Sequence, residues 1–156
     1  MDSSAQVGRG VSQKDGIPRM VARGALVVLA GFLLWAGFTS QMHTLTQRAA
    51  TFTVPWGGWL KWHGLYLLAG LSFGLAMVLP RRVRYRPSRA LLLGAIPILW
   101  LVHLTLTLGP AVEFTQQHLG FVARWPSSSG LYAFETSMGL VVGVWLGLSL
   151  AAGFGE

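Results

Sequence analysis

Beyond Lys61, three ionisable side chains stand inside long apolar stretches of the chain: His63, His103 and Glu135. A charged side chain at the centre of a bilayer costs about 3 kcal/mol on insertion scales, so these positions are the first candidates for a functional site. Two imidazoles on separate helices can hold the iron of a b-type haem, which would make His63 and His103 its axial ligands. With the carboxylate of Glu135 added, the same residues form a donor set for a metal ion.

Two other hypotheses use the same side chains. Glu135 could exchange protons with a histidine in a small transporter. The simplest hypothesis gives His63 a structural role without chemistry. In it, His63 hydrogen-bonds Glu135, a loop carbonyl or headgroup water and so holds helices together. Residues outside the apolar stretches could add metal ligands, namely His43, Glu113 and His118.

The elements that position these residues are four apolar stretches, at about 20–40, 58–80, 89–109 and 130–152. Roughly 20 apolar residues in a helix cross the hydrocarbon core of a bilayer. The chain is 53% hydrophobic and 11% charged, which is far from the composition of soluble proteins. We therefore predict an all-α, integral membrane four-helix bundle over 19–156. The uninterrupted apolar part of 20–40 is as short as a signal-peptide core, so a cleaved signal is the alternative to a first span.

The arginines give the predicted orientation. Five of them follow the second stretch within a short turn: Arg81, Arg82, Arg84, Arg86 and Arg89. Basic loops remain on the cytoplasmic side of a membrane, and the basic segment 1–18 should lie there as a mobile tail. The prediction is a multi-pass protein of the cell membrane with short loops and both termini in the cytoplasm. Because its positive charge lies at the membrane surface, we expect the lipid bilayer as a partner and exclude nucleic acid.

Glycine spacing predicts where the helices meet. Small residues four positions apart allow two membrane helices to approach closely. The second stretch contains Gly70 and Gly74 at this spacing, and the fourth contains Gly139 and Gly143. We expect these four glycines at helix–helix contacts.

The predicted orientation also gives the depth of the three ionisable residues. At about 1.5 Å per residue, His63, His103 and Glu135 lie within roughly 6–10 Å of the outer boundary. Helical angles place His63 and Glu135 towards the glycine faces of their helices, whereas the direction of His103 stays undecided. We predict that His63 and Glu135 lie within direct or water-bridged hydrogen-bond reach, with His103 as a further member.

No complete catalytic set accompanies these residues. The chain has no cysteine, which excludes thiolate catalysis and cysteine-ligated metals, and it lacks the HExxH, GxSxG, Walker and GxGxxG motifs. The sequence therefore favours a non-catalytic small membrane subunit or accessory protein, assembled with other membrane subunits or with copies of itself. The alternatives are a haem- or metal-binding bundle for electron transfer and a small proton-coupled transporter.

Overall fold

The computed structural model describes residues 16–51, 54–78, 85–107, 109–119 and 129–154. These residues form five helices: α1 (Gly16–Thr51), α2 (Trp56–Val78), α3 (Pro87–Thr107), α4 (Val112–His118) and α5 (Ser129–Ala152). In α5 the side chains are described from Met138 onward. The described ranges contain no strand, and the prediction of an all-α fold is confirmed for them.

Helix α1 is much longer than the predicted stretch 20–40, because a periodic buried face continues beyond its apolar residues. Ala30, Gly37, Gln41 and Thr44 are buried at spacings that keep one side of the helix towards α2. The Thr44 hydroxyl donates to a carbonyl one turn earlier at 2.9 Å, so it needs no other partner. The polar second half of α1 is therefore helical, although its hydropathy predicts a loop.

The other long helices lie close to the predicted stretches, and α4 is an addition. Helices α2, α3 and α5 differ from those stretches by two residues or fewer at each end. Helix α4 falls within the predicted connection 110–129 and packs against α3. Its Thr115 is fully buried and donates its hydroxyl to the Ala111 carbonyl at 3.0 Å. A seven-residue polar helix has no apolar periodicity from which it could be predicted.

The backbones of the long helices are adjacent in the order α1, α2, α5, α3. Among the described residues, the α2 backbone does not approach that of α3, and α1 does not contact α3. Short connections predict that sequence neighbours are antiparallel neighbours in space, but the backbones of α2 and α3 are not adjacent, and these two helices meet through side chains such as Trp59 and Thr105. The reason is the closely packed pair that α2 forms with α5. The two helices run parallel, since Gly139 faces Trp62 near one end and Gly74 faces Ala151 near the other.

The two ends of the molecule differ in composition. At one end the Arg86 amide donates to the Gly153 carbonyl at 2.7 Å, and the Tyr85 and Phe154 rings lie 4.8 Å apart. We call this the arginine end, and the opposite end, which holds Trp56, the tryptophan end. The main apolar core lies in the tryptophan half and consists of Trp59, Trp62, Tyr66, Leu104 and Val142.

Within the described residues, two helical segments are long and apolar enough to cross a membrane. They are Pro18–Thr51 and Pro87–Thr107, and Met138–Ala152 is a shorter apolar helix. Helix α2 is 23 residues long and carries Lys61 and His63 in its first turns. This finding supports two candidate spans among the described residues, so the prediction of four spans is not confirmed.

Candidate functional site

His63 lies in a cage of aromatic rings at the centre of the tryptophan half. It is 6% exposed, and its ring centroid lies 3.8 Å from that of Trp62 and 4.3 Å from that of Trp59. Its Nδ1 lies 2.9 Å from the Trp59 carbonyl oxygen. A carbonyl oxygen only accepts, so Nδ1 carries the proton and donates this bond. Trp59 lies one turn before His63 in the same helix, and α2 therefore fixes the imidazole by itself.

Glycines of α5 make room for the large side chains around His63. A Cβ atom added at Gly139 would lie 2.6 Å from Cη2 of Trp62 and 3.4 Å from Nε2 of His63. A Cβ atom at Gly143 would lie 2.6 Å from Cβ of Tyr66. Both distances to carbon are shorter than van der Waals contact. The aromatic side chains of α2 thus pack directly on the backbone of α5.

Two hydrogen bonds join the aromatic residues around His63 to helices α1 and α3. The Tyr66 hydroxyl donates to Oε1 of Gln41 on α1 at 2.6 Å, and this bond is buried. The Trp59 indole donates to the Thr105 hydroxyl on α3 at 3.2 Å. The two bonds come from residues two turns apart on α2, and together they join α1, α2 and α3 within the tryptophan half.

Two buried polar atoms in this cluster have no hydrogen-bond partner among the described residues. They are Nε1 of Trp62, which can only donate, and Nε2 of His63, which can accept. The Glu135 side chain lies outside the described residues. The predicted contact between His63 and Glu135 therefore stays a prediction.

His103 occupies a different environment from His63. It lies on α3, it is half-buried, and its ring centroid is 5.7 Å from that of Trp100. No described contact joins it to His63, and α5 packs against both α2 and α3. The described residues contain no group of three histidine, cysteine or acidic side chains that could hold a metal ion.

The residues outside the apolar stretches that were proposed as extra metal ligands, namely His43, Glu113 and His118, lie on two different helices. Glu113 and His118 are exposed on α4, where Nδ1 of His118 donates to the Phe114 carbonyl at 3.1 Å. His43 is exposed on α1 and faces a separate cavity between α1 and α2. The structure brings none of these three side chains to His63.

The glycines and arginines singled out in the sequence occupy defined positions. A Cβ atom at Gly70 would lie 2.8 Å from the Cα atom of Val144, and one at Gly74 would meet Ala151. Arg86 and Arg89 are exposed at the arginine end. Three further arginines, Arg81, Arg82 and Arg84, lie outside the described residues, as does most of the predicted tail 1–18.

Sequence reasoning missed the residues that join the helices, namely Gln41, Trp59, Tyr66 and Thr105. A signal for Tyr66 was present, because it lies three residues after His63 and four before Gly70 on the same helical face. Gln41 follows Gly37 by one turn in the same way.

The arrangement fixes helices rather than presenting a reactive group. The imidazole of His63 lies against two indole rings and is buried and hydrogen-bonded within its own helix, and the hydroxyl of Tyr66 donates to Gln41. Comparison of the chain with protein-family models, curated proteins and solved structures found no significant match. The chemistry of this cluster must therefore be argued from its own geometry.

Proposed function

We propose that the chain is a four-span integral membrane protein with both termini in the cytoplasm, and that it serves as a non-catalytic subunit or accessory protein of a larger membrane complex. One observation carries the proposal: large apolar side chains cover the outside of the long helices. Val28 and Leu99 are 73% and 70% exposed at the middle of α1 and α3. A contiguous apolar surface of this kind is an interaction surface.

Lipid is the solvent that fits this surface. In a water-soluble protein the large apolar side chains of such helices would be buried. Here the buried positions of α1 and α2 include small or polar residues such as Gly37, Thr44 and Gly70. Membrane helices associate through such residues, because lipid chains provide no reason to hide a leucine.

Charge supports the proposed orientation. The arginine end holds Arg19 and Arg23 of α1 together with Arg86 and Arg89. The described cations of the tryptophan half are fewer, and Lys61 is one of them. An excess of basic residues marks the cytoplasmic side, which supports placing the arginine end there.

The edge position of α1 favours a partner protein. Helix α1 contacts α2 alone among the described helices, so most of its circumference is uncovered. Phe32 projects from that uncovered side, and its ring centroid lies 6.0 Å from that of Trp35, which faces the cavity between α1 and α2. Aromatic residues are enriched where proteins associate, and an aromatic ridge suits a neighbouring transmembrane helix.

Photocrosslinking in native membranes tests the proposal. A benzophenone amino acid at Phe32 should give one discrete protein adduct, and native gels in mild detergent should show the chain in a complex larger than its monomer. The same probe at Leu99, an exposed position on α3, is the matched control for lipid contact. A monomer that forms only lipid adducts from both positions contradicts the subunit proposal.

The haem, metal and transport hypotheses require His63 to meet His103 or Glu135. No described contact favours any of them over the subunit proposal. An absorption spectrum of the purified protein decides the haem case. A Soret band that disappears in both His63→Ala and His103→Ala would replace the proposal with electron transfer.

A further inference from the structure

A cavity of about 650 Å³ lies between α1 and α2 in the tryptophan half, apart from the His63 cluster. It is an open groove along the two helices rather than an enclosed void. Gly58 at its edge allows the two helices to meet, since an added Cβ atom there would lie 2.6 Å from Oγ1 of Thr44. Gly57, which also lines the cavity, has no described atom within 4 Å of such a Cβ. The cavity is therefore open space beside a close helix contact.

The lining of this cavity changes from apolar to polar along α1. Trp35 and Leu65 form its apolar part, and His43, Gln47 and Lys61 form its polar part. Trp35 and Gln47 are twelve residues apart, which corresponds to about 18 Å along a helix. In the proposed orientation the apolar part lies at the depth of lipid chains, and the polar part lies at the outer headgroups.

The polar part is suited to an anion. Lys61 supplies an ammonium group and His43 an imidazole, while no carboxylate lines the cavity among the described residues. The amide of Gly57 lies in the first turn of α2, where helix geometry provides no acceptor for it. Glu113 is held away on α4, which packs against α3.

From this combination we infer that the cavity binds an anionic phospholipid of the outer leaflet. Its phosphate lies at Lys61 and His43, and the first part of its chains lies along Trp35 and Leu65. A phosphate contact with an ammonium group is a charge-assisted hydrogen bond, which is stronger than a neutral one. The inference rests on the proposed membrane location of the chain.

Lipid titration of the purified protein in zwitterionic nanodiscs tests this inference. The probes are phosphatidylglycerol, phosphatidylcholine and inorganic phosphate, and bound lipid is counted by native mass spectrometry. We expect phosphatidylglycerol to bind about tenfold more tightly than phosphatidylcholine, because both lipids present a phosphate but the choline cation of phosphatidylcholine is repelled by Lys61. Inorganic phosphate should not compete, because it lacks the chains that contact Trp35 and Leu65.

Variants assign the binding to the cavity. Lys61→Gln should remove the preference for phosphatidylglycerol and Lys61→Arg should retain it. Gly57→Phe should occupy the cavity and abolish tight binding while the fold is retained, because the added Cβ atom meets no described atom within 4 Å. Arg19→Gln, which removes a cation at the opposite end of α1, is the matched control and should change nothing.

Three outcomes would overturn the inference. They are equal binding of the two lipids, an unchanged preference in Lys61→Gln, and competition by inorganic phosphate, which would indicate a free-anion site. A photocrosslinker placed in the cavity that forms an adduct with a protein helix would also overturn the inference, because the occupant would then be protein and not lipid. A chain that is released from membranes without detergent would instead contradict the proposed function itself.

Discussion

The interface between α2 and α5 and the outward surfaces of α1 and α3 are built from opposite kinds of residue. At the interface, the backbones touch because Gly70 and Gly147 have no side chains, and a Cβ atom at Gly147 would lie 2.7 Å from the carbonyl carbon of Gly70. On the outward surfaces, large side chains such as Phe32, Leu92 and Leu99 are exposed.

This difference shows what holds the helices together. If hydrophobic burial drove the packing, the leucines and phenylalanines would face inward. In the proposed membrane location, close backbone approach and a few interhelix hydrogen bonds take that role, because lipid surroundings are already apolar. The contrast between a glycine-lined interior and a leucine-covered exterior can be tested residue by residue.

The largest effect is expected from a side chain inserted between α2 and α5. Gly70→Leu would place atoms inside the backbone of Val144, so we expect it to cost more than about 3 kcal/mol and to prevent recovery of folded protein. The measurement is the folded fraction in mixed micelles titrated with SDS.

Gly64→Leu is the matched control for that experiment. Gly64 lies in the same helix, but no described atom lies within 4 Å of an added Cβ. Folded protein should be recovered at the level of the wild type. Equal loss of folding in both variants would mean that the glycines are needed for something other than the α5 contact.

A smaller effect is expected from a cavity in the core. Leu104 of α3 is 1% exposed within the aromatic cluster, so Leu104→Ala should destabilise the protein by about 2–4 kcal/mol. Leu99→Ala on the outward side of α3 should change the free energy of unfolding by less than about 0.5 kcal/mol. Similar losses at both positions would show that the outward face of α3 is covered by protein.

The hydrogen bond between α1 and α2 is expected to contribute less. Tyr66→Phe removes the donor to Oε1 of Gln41 and should cost about 1 kcal/mol. A double-mutant cycle with Gln41→Leu measures the coupling. Tyr85→Phe, at an exposed tyrosine, should be neutral. Zero coupling between Tyr66 and Gln41 would remove this bond from the account.

The smallest effect is expected when His63 becomes apolar. His63→Leu keeps much of the volume and removes Nε2, which has no described partner, so its cost should stay below about 1 kcal/mol. His63→Ala should cost more, because it leaves a hole beside Trp62. A severe loss of stability or of a bound cofactor in His63→Leu would show that the imidazole has a ligand.

The helices themselves could be predicted from hydropathy, but their neighbours could not. Apolar stretches locate α2, α3 and α5, because each carries many apolar residues between turn-forming or charged segments. Hydropathy gives no information about which helices are neighbours in space. The glycines of α2 and α5 held that information, since close packing requires small residues on both partners.

The candidate site was predictable only in part, for a similar reason. His63 stood out because an ionisable residue in an apolar helix is rare. Its surroundings depend on which turn of α5 lies opposite, and that register follows from Gly139 and Gly143 meeting Trp62 and Tyr66. The bond from Tyr66 to Gln41 depends further on α1 remaining helical past 40, which its hydropathy does not indicate.

The most direct test of the account is the accessibility of single cysteines to a membrane-impermeant maleimide. The chain has no cysteine of its own, so each introduced thiol is the only target. Ser88→Cys at the arginine end should react only after the cytoplasmic side is opened, and Gln117→Cys on α4 should react in intact cells. Leu99→Cys should not react until the protein is denatured, because lipid covers it. Rapid labelling of Leu99→Cys in the native protein would contradict the membrane location, and labelling of Ser88→Cys from outside would contradict the orientation.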